Sequence, residues 1–588
     1  MTSERPPTTS SPIANRKSQI ANRVILALVL ATGFLLHLIY LLWNCPLDLM
    51  GDEAQYWEWS RHLDLAYYSK GPLVAYVIRA SCAIFGDVMW AVRLPALVLA
   101  VGTSICTYYV TAKLFRSERL ALGVVLLTHT LPMFVVGSML MTIDPPYYFC
   151  WALATALATK ALVDESRLAW IGAGIAIGFG LLTKYAAPLW FVGLFAFLLT
   201  DRDARQRWLR TPWPWLALVI ALSFFVVPLI WNIQHDWVTA RHVGRQIGVT
   251  KQEGEWYLNP LLMLGTQFGV LTPIFAVFTI LAVIDAVRGR TLAPSPGTPG
   301  GHVVSRARGE DLPSTDPALT LTLSRTTGRG NQTAIDPIRA ARFLLAIGAC
   351  FFLLNFVQSF FAETEANWPA PSYFTLVILV GCWLGERWNV PREWNRLRGF
   401  FWAHVVIGVV LGTLVHRTDW LYAPLSRFDV PPRKIDAQFV KMRGNAELGD
   451  AVSNELATLS PGAFVLTRTY QDAAILSFYV KGQPPAFHIG SYLHGLNKQG
   501  EPLQTRHSQW DLWPDRDLTP AKSPVIGRDA VFVGDLDEVG TIAGAFERID
   551  PEPRVVKIIR HDVFVREMKV YRCYRFKGVE RPKDASSF

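Results

Sequence analysis

Residues 24–43 read VILALVLATGFLLHLIYLLW and contain no aspartate, glutamate, lysine or arginine. A helix of about 20 apolar residues covers the roughly 30 Å of hydrocarbon in a bilayer, so this stretch predicts a transmembrane helix. Further apolar stretches follow at residues 91–112, 120–141, 147–163, 168–182, 186–199, 213–231, 261–287, 343–361, 373–384 and 400–415. The chain is therefore predicted to be a polytopic α-helical membrane protein with about 11 transmembrane helices.

The overall composition agrees with membrane residence. Of the 588 residues, 51% are hydrophobic and only 18% are charged, whereas charged residues make up about a quarter of a typical soluble domain. This excludes a soluble multidomain enzyme. The net charge of +10 comes mostly from lysine and arginine in alternate loops, so it predicts membrane orientation, and we expect no nucleic-acid partner.

The positive charges also assign the loops to the two sides of the membrane. Lysine and arginine are enriched in cytoplasmic loops, and here they concentrate at residues 16–23, 113–119, 202–210 and 387–398. The loops with fewer positive charges are residues 45–88, 142–146, 232–259 and 362–371. We expect these loops, together with the tail from residue 417, to be extracytoplasmic.

Three regions follow from this pattern. Residues 1–23 are predicted to be a disordered cytoplasmic N-terminus, residues 24–416 a transmembrane domain, and residues 417–588 an extracytoplasmic α/β domain. Within the transmembrane domain, residues 45–88 form the first outer loop, and residues 289–337 form a proline- and glycine-rich insertion that we expect to be cytoplasmic and disordered. In the tail, the sequence predicts strands at 463–467, 485–489, 530–534 and 555–559 and helices at 444–459 and 471–480.

The first outer loop contains the stretch MGDEAQYWEWSRHLDLAYYSKGPLVAYVI at residues 50–78. Tyr56, Trp59 and Leu63 recur at helical spacing. This spacing predicts a helix that lies in the headgroup region with its aromatic side chains turned toward lipid. The acidic pair at the start of that helix then lies at the membrane surface.

That acidic pair, Asp52 and Glu53, has two interpretations. A carboxylate fixed at the membrane surface is well placed to accept a proton from a substrate. Alternatively, Asp52 with Gln55 three residues later is an ordinary capping box, and Glu53 simply favours the helix dipole. The two interpretations are compatible, because a capped carboxylate is held in place.

A second acidic site is Asp144, which is followed by two prolines at the outer end of the third apolar stretch. Proline after aspartate is typical of a helix start. A carboxylate at the boundary of a membrane span is, however, energetically costly unless it has a charge partner or a function. Lys70 and Lys184 belong to the same predicted side and are candidate phosphate ligands. Snorkelling of the two lysines toward the interface is the alternative.

Nucleotide-binding motifs are not supported. Gly172, Gly174, Gly178 and Gly180 resemble a nucleotide-binding loop, but they lie inside an apolar stretch, where small residues let helices pack closely. No other phosphate-binding loop is present, so a soluble nucleotide-sugar or ATP site is not predicted. The seven cysteines have neither metal-ligand nor disulfide spacing.

Taken in order, these motifs resemble a known family: the bacterial relatives of dolichyl-phosphate-mannose protein mannosyltransferases and of the lipid A aminoarabinose transferase, which are family 39-like glycosyltransferases with the membrane GT-C fold. Gly71 departs from the family pattern, which has a proline at this point. The resemblance covers nearly the whole chain except the insertion. The matching segments are Asp52-Glu53, YYSKGPL at 67–73, Asp144-Pro145, LTKY at 182–185, WNIQHDW at 231–237, EANWPAP at 365–371 and RHSQWDLW at 506–513.

The resemblance implies an inverting glycosyltransferase of the bacterial inner membrane. Its donor would be a sugar linked to a polyprenyl phosphate, and its acceptor a hydroxyl of an envelope lipid, glycan or protein. Catalytic residues would be Asp52 as the general base, with Glu53 and Asp144; Glu53 would orient Asp52 or, with it, hold a divalent cation. The residues expected to bind substrate are Tyr68, Lys70, Lys184, Tyr185, His235, Glu365, Asn367 and Trp368.

Two other classes of function share some of these features. A transporter or flippase also has many spans and buried charges, but here the candidate charges cluster at the outer surface and no internal repeat is evident. A sensor or assembly protein would have its function in the outer tail. Because the acidic motifs all precede that tail, truncation after Arg417 would separate this class from the enzyme.

Overall fold

The computed structural model describes residues 12–246, 257–290, 336–362, 364–388, 390–437, 439–493, 507–536 and 540–581. The predicted disorder of residues 1–11, most of the predicted insertion and Arg506 of the tail motif lie outside these residues. The helices up to residue 416 are α1 (Pro12–Ile39), α2 (Gly51–Arg61), α3 (Leu73–Phe85), α4 (Met89–Phe115), α5 (Glu118–Thr128), α6 (Pro132–Met139), α7 (Asp144–Asp164), α8 (Arg167–Leu181), α9 (Trp190–Thr200), α10 (Arg202–Ala204), α11 (Trp213–Ser223), α12 (Val226–Gln234), α13 (Val238–Gln246), α14 (Leu258–Leu271), α15 (Pro273–Val287), α16 (Pro337–Gln358), α17 (Ala370–Trp388) and α18 (Pro391–His416).

The polytopic helical architecture is confirmed, since each apolar stretch falls in a helix or a bent helix pair. The predicted count of about eleven spans is not confirmed. Within the described residues, five helices are long and apolar enough to cross a membrane, or seven if the bent pairs α5/α6 (75°) and α14/α15 (108°) each count as one span. Stretches such as 168–182 and 186–199 fall short because their helices, α8 and α9, have only 15 and 11 residues.

The N-terminal boundary differs from the prediction. Helix α1 begins at Pro12, so the expected disorder of residues 1–23 is wrong over residues 12–23. Proline is well tolerated in the first turn of a helix, and a helix that has begun adds residues at little further cost. The long apolar run therefore continues the helix backward into a polar segment that composition alone assigns to disorder.

The glycines in helix α8 act as packing residues, as predicted. A Cβ atom on Gly174 would lie 2.5 Å from the carbonyl oxygen of Ala217, and one on Gly178 would lie 2.5 Å from the ring of Phe224. Because only glycine leaves room for this approach, helix α8 packs closely against helix α11.

The tail is an α/β domain. Its helices are α19 (Tyr422–Ser426), α20 (Pro432–Ile435), α21 (Asn445–Leu456), α22 (Tyr470–Tyr479) and α23 (Thr541–Gly544), and its strands are β1 (Phe464–Thr467), β2 (Ala486–His488), β3 (Ala530–Val533), β4 (Phe546–Ile549), β5 (Arg554–Arg560) and β6 (Val563–Phe576). The sheet has the order β2-β1-β3-β6-β4, with β5 also paired to β6. Strand β1 is parallel to β2 and β3, and the pairs with β6 are antiparallel. The predicted α/β alternation is confirmed, while β4 and β6 were not predicted.

Helix α2 is enclosed by this tail. Tyr56, Trp57 and Trp59 are buried, and the Trp57 ring packs edge-on against Phe478 of helix α22 at 4.9 Å. The prediction that these aromatic side chains face lipid is therefore wrong. A helical period shows that one face is apolar, but it does not show whether lipid or another part of the chain covers that face.

Polar contacts also join the tail to the first outer loop. The Asp48 carboxylate accepts the backbone N–H of Asn445, the first residue of helix α21, at 2.7 Å. Arg516 donates to Glu58 of helix α2 at 2.5 Å, and both side chains are almost completely buried. The tail and the outer loop thus share one core, so the tail is not a separate module attached to the membrane domain.

Candidate active site

Asp52 lies in the first turn of helix α2 but does not cap it. The cap position is Met50, whose backbone N–H donates to Oε2 of Glu53 at 3.0 Å. The capping alternative for Asp52 and Gln55 is therefore wrong, because Glu53 makes the cap bond. Within the described parts of the chain, the Asp52 carboxylate has no hydrogen bond or ion pair and remains free to accept a proton.

Glu53 is fully buried and paired with Arg93 of helix α4. The Arg93 Nε donates to one carboxylate oxygen at 3.0 Å, and Nη2 donates to the other at 2.8 Å. The backbone N–H of Met141 donates to the same carboxylate at 2.9 Å. Glu53 thereby connects the two acidic motifs, since Met141 stands three residues before Asp144.

These bonds do not fit Glu53 as a ligand of a divalent cation. Both of its oxygens already accept hydrogen bonds, and Arg93 supplies the compensating charge. Among the residues that the structure describes, no group of three or more His, Cys, Asp or Glu side chains is arranged to hold a metal ion.

Asp144 lies at the start of helix α7, where its side chain again makes no cap bond. One carboxylate oxygen lies 3.5 Å from Nζ of Lys184, and the other accepts a hydrogen bond from Nδ2 of Asn367 at 2.6 Å. The Lys184 ammonium also lies over the Tyr147 ring, 5.5 Å from its centre. Three of the predicted site residues, from three separate motifs, therefore meet at this point.

Gly71 allows the two lysine motifs to come together. The backbone N–H of Leu73 donates to the carbonyl oxygen of Leu182 at 3.0 Å. A Cβ atom on Gly71 would lie only 2.3 Å from that same oxygen. The glycine that departs from the family pattern is thus the residue that lets the Lys70 loop lie against the turn carrying Lys184.

A cavity of about 130 Å³, which we call the lysine cavity, is lined by both lysines and by Trp368. Tyr185 and Gln358 also line it, and the buried Tyr185 hydroxyl and Gln358 amide nitrogen have no hydrogen-bond partner within the described residues. Unpartnered buried donors facing a cavity are suited to binding a polar ligand. Gln358 was not predicted; the available signal was a glutamine at the end of an otherwise apolar helix.

The charges in this region alter one another's protonation. Burial raises the pKa of Asp52, and the nearby Lys70 ammonium opposes that rise. Burial and the Lys184 ammonium lower the pKa of Lys70 to about 8. Burial and the charges of Asp52 and Asp144 raise the pKa of Tyr56, so its hydroxyl stays protonated beside both carboxylates.

The remaining predicted site residues fall into two groups. Glu365 is exposed, and its charge acts on Asp52, so it belongs with the acidic site. His235 stacks on Trp231 at 4.0 Å. The Tyr68 ring lies 5.0 Å from His242, and its backbone N–H donates to Gln509 of the tail at 2.6 Å. Within the described part of the chain, the contacts of His235 do not reach the acidic residues or the two lysines.

The fold is that of a membrane GT-C protein. The structure superimposes on ArnT from Cupriavidus metallidurans in the apo state with a TM-score of 0.58 and 16% sequence identity, covering 94% of this chain and 98% of that one. A structure of the same ArnT bound to undecaprenyl phosphate also gives a TM-score of 0.58. This likeness confirms the expected GT-C fold.

Sequence comparisons confirm the resemblance stated above. Residues 69–231 match the family described as dolichyl-phosphate-mannose-protein mannosyltransferase. Lipid A galacturonosyltransferase RgtD of Rhizobium johnstonii is 30% identical over 271 residues, which are 45% of this chain and 55% of that protein. Undecaprenyl phosphate-alpha-4-amino-4-deoxy-L-arabinose arabinosyl transferase 2 of Proteus mirabilis is 26% identical over 283 residues, 43% of this chain and 48% of that one. The chain thus spans about half the length of these curated relatives.

The close approach at Gly71 leads to a prediction about stability. In Gly71→Ala, the added Cβ must push the Lys70 loop off the carbonyl of Leu182, so we expect a loss of about 1–3 kcal/mol, which is typical of overpacking. The thermal unfolding midpoint of the purified protein in detergent measures this loss. Gly244→Ala is the control, because its Cβ would meet open space. Equal midpoints for the two variants would contradict the packing described here.

Proposed function

We propose that this protein is a glycosyltransferase that moves a sugar from a polyprenyl-phosphate carrier to a hydroxyl group of an envelope acceptor. The observation that carries the proposal is the Asp52 carboxylate, which has no hydrogen-bond partner among the described residues and lies near Lys70. Lys70 and Lys184 together line a largely apolar cavity. The activities of the two relatives, galacturonosyl and aminoarabinosyl transfer, support the same class of reaction. The charged side chains of this site lie at helix ends or in the adjoining loops, which argues against a transporter with a binding site at mid-membrane.

In the proposed reaction, the acceptor oxygen attacks the anomeric carbon of the donor while the bond from that carbon to the phosphate oxygen breaks. Asp52 takes the proton from the acceptor hydroxyl, and the polyprenyl phosphate departs with the bonding electrons. A single displacement of this kind inverts the anomeric configuration. The raised pKa of Asp52 makes the carboxylate a better base than an exposed aspartate.

The two lysines stabilise the leaving group in this proposal. Negative charge grows on the departing phosphate, and preorganised cations near it stabilise the transition state. Lys70 and Lys184 line the same cavity, where they can share this charge. Because the phosphate departs as an anion, no general acid is required. The unpartnered donors of Tyr185 and Gln358 are placed to hydrogen-bond the phosphate or the sugar.

The other predicted residues take supporting roles in this proposal. Asp144 positions the sugar or the acceptor, and Asn367 and Lys184 hold its carboxylate in place. Trp368 forms a wall of the lysine cavity, and Glu365 adds negative charge beside the base. Tyr68 packs against the cluster that contains Trp231, and His235 stacks on Trp231; in this proposal both bind the substrate from the outer loops.

We also propose that the site and the tail face the extracytoplasmic side, on the charge asymmetry of the loops. Lys557 in the tail and Arg210 in a loop predicted to be cytoplasmic are both exposed. In intact cells, a membrane-impermeant thiol reagent should label Lys557→Cys above the wild-type background and should leave Arg210→Cys unlabelled until the membrane is opened. The reverse pattern of labelling would overturn this orientation.

The test of the base is Asp52→Asn, which keeps the shape of the side chain but cannot accept the proton. Since Asp52 makes no cap bond, we expect a normal yield and thermal midpoint, with transfer reduced by roughly two to four orders of magnitude. Transfer is followed by mass spectrometry of envelope lipids from a deletion strain that carries each variant.

Glu53→Gln is the contrasting variant at the neighbouring position. It leaves the buried Arg93 without its charge partner, so we expect a lower thermal midpoint together with reduced transfer. An Asp52→Asn protein that transfers sugar at the wild-type rate would refute Asp52 as the base and would point to Asp144.

The lowered pKa of Lys70 predicts a pH dependence of donor binding. With a pKa of about 8, Lys70 carries its positive charge below that pH and loses it as the pH rises. Affinity for undecaprenyl phosphate, measured from pH 7 to 10, should therefore fall above about pH 8. Lys70→Arg stays protonated throughout and should keep its affinity. The same pH dependence in both proteins would contradict a phosphate-binding role for Lys70.

A further inference from the structure

The tail motif at residues 506–513 has no role in the reaction proposed above, although it lies against the first outer loop. Gln509 of this motif is almost completely buried. Its side-chain oxygen accepts the backbone N–H of Tyr68 at 2.6 Å. Because Tyr68 stands two residues before Lys70, this hydrogen bond joins the tail to the loop that carries a candidate phosphate ligand.

The same peptide group is held from its other side. The carbonyl oxygen of Tyr67 and the N–H of Tyr68 belong to one planar peptide unit. That carbonyl oxygen accepts a hydrogen bond from Oγ1 of Thr239, in helix α13, at 3.1 Å. Gln509 and Thr239 are each only 1% exposed. Two buried side chains from distant parts of the chain therefore hold both polar groups of this peptide unit.

The rest of the loop leaves the backbone of Lys70 little freedom. The N–H of Tyr67 donates to the carbonyl oxygen of Lys70 at 3.0 Å and closes a turn between them. The Tyr67 ring stacks on Trp59 at 4.3 Å, and its hydroxyl donates to the carbonyl oxygen of Trp59 at 3.0 Å. After the turn, the bond from Leu73 to Leu182 fixes the chain again. Lys70 thus enters the lysine cavity from a turn that is held at both ends.

Gln509 is itself held by the sheet of the tail. It is the first residue of a short 3₁₀ helix that is capped by Ser508. The Ser508 hydroxyl lies 2.9 Å from Nε2 of His488, at the end of strand β2. The indole N–H of Trp510 donates to the carbonyl oxygen of Ala486 in the same strand at 3.1 Å. The position of the Gln509 side chain is therefore set by the folded tail.

We propose that Gln509 and Thr239 are positioning residues for Lys70, which keep its ammonium group in the lysine cavity by holding the peptide between Tyr67 and Tyr68. This assignment, which rests on the proposed function, gives the tail a part in binding the donor. The chemistry of the two side chains fits the task, because a carboxamide oxygen accepts from an N–H and a hydroxyl donates to a carbonyl. Without either side chain, a buried peptide group loses its partner, and the turn gains by moving toward water.

The protonation of Lys70 reports the position of its side chain. Burial and the Lys184 ammonium lower the pKa of Lys70 to about 8, while the carboxylates of Asp144 and Asp52 oppose that shift. If the turn moves outward, Lys70 gains water and leaves Lys184, so its pKa rises toward the ordinary lysine value of about 10.4. Only the neutral amine is acylated. The pH midpoint of Lys70 acylation, followed by peptide mass spectrometry of the full chain in detergent, therefore measures this pKa without any substrate.

Gln509→Met and Thr239→Val each remove one hydrogen bond and keep the approximate shape of the side chain. We expect each variant to raise the midpoint of Lys70 acylation by about one pH unit or more. Binding of undecaprenyl phosphate at pH 7 should weaken roughly tenfold in each. Thr239→Ser keeps the hydroxyl and should retain both wild-type values.

Gln483→Met is the matched control, because Gln483 also joins the tail to the outer loop, through Nε2 to the carbonyl oxygen of Asp87 at 3.1 Å. It should change neither the midpoint nor the affinity. A wild-type midpoint in Gln509→Met and Thr239→Val, or an equal shift in Gln483→Met, would overturn the assignment. A raised midpoint with unchanged affinity would support the positioning of Lys70 and would instead refute its contact with the donor phosphate in the proposed function.

Discussion

The buried ion pair between Glu53 and Arg93 is the interaction on which the arrangement of this site depends. Both side chains are completely inaccessible to solvent, and burying two charges costs several kcal/mol per ion unless further hydrogen bonds satisfy them. Here Arg93 also donates to the carbonyl oxygens of Leu47 and Asp48 at 2.8 and 2.7 Å. Glu53 accepts the backbone N–H groups of Met50 and Met141. The pair is therefore fully satisfied, and removing either partner would leave an uncompensated buried charge.

Several parts of the chain take their position from this pair. It fixes helix α4, the start of helix α2 and the segment before helix α7 relative to one another. Helices α2 and α7 carry Asp52 and Asp144 in their first turns. The segment before helix α2 also contacts the tail, since the Asp48 carboxylate accepts backbone N–H groups at the start of helix α21. Two adjacent carboxylates thus have different tasks: Glu53 holds the structure, and Asp52 stays free to react.

Much of this architecture could be predicted from the sequence because it is encoded locally. Apolar stretches gave the helices of the membrane domain, and alternating patterns gave most strands of the tail. The motif order brought Asp52, Asp144 and the two lysines into one candidate site, and the structure places Asp144 in contact with Lys184. What could not be predicted is non-local. The tail covers helix α2, and the approach at Gly71 depends on a turn more than a hundred residues away in sequence.

Arg93 is a residue whose buried ion pair could have been predicted from the sequence. It lies inside the apolar stretch 91–112, and an arginine within a membrane span requires a partner. Glu53, at the predicted membrane surface, was a candidate for that partner. The long strand β6 is a similar case, because residues 563–576 are rich in valine and aromatic residues, which favour strands. The orphan donors of Tyr185 and Gln358 could be found only from the cavity that they face.

In this mechanism Asp52 meets the acceptor while Glu53 remains bound to Arg93. A structure of the Asp52→Asn variant, trapped with a polyprenyl-phosphate sugar and an acceptor, shows both contacts at once. We expect the residue 52 side chain within about 3 Å of the acceptor hydroxyl, with both Glu53 oxygens still accepting from Arg93. A Glu53 carboxylate that has left Arg93 to contact the acceptor or a cation would contradict it.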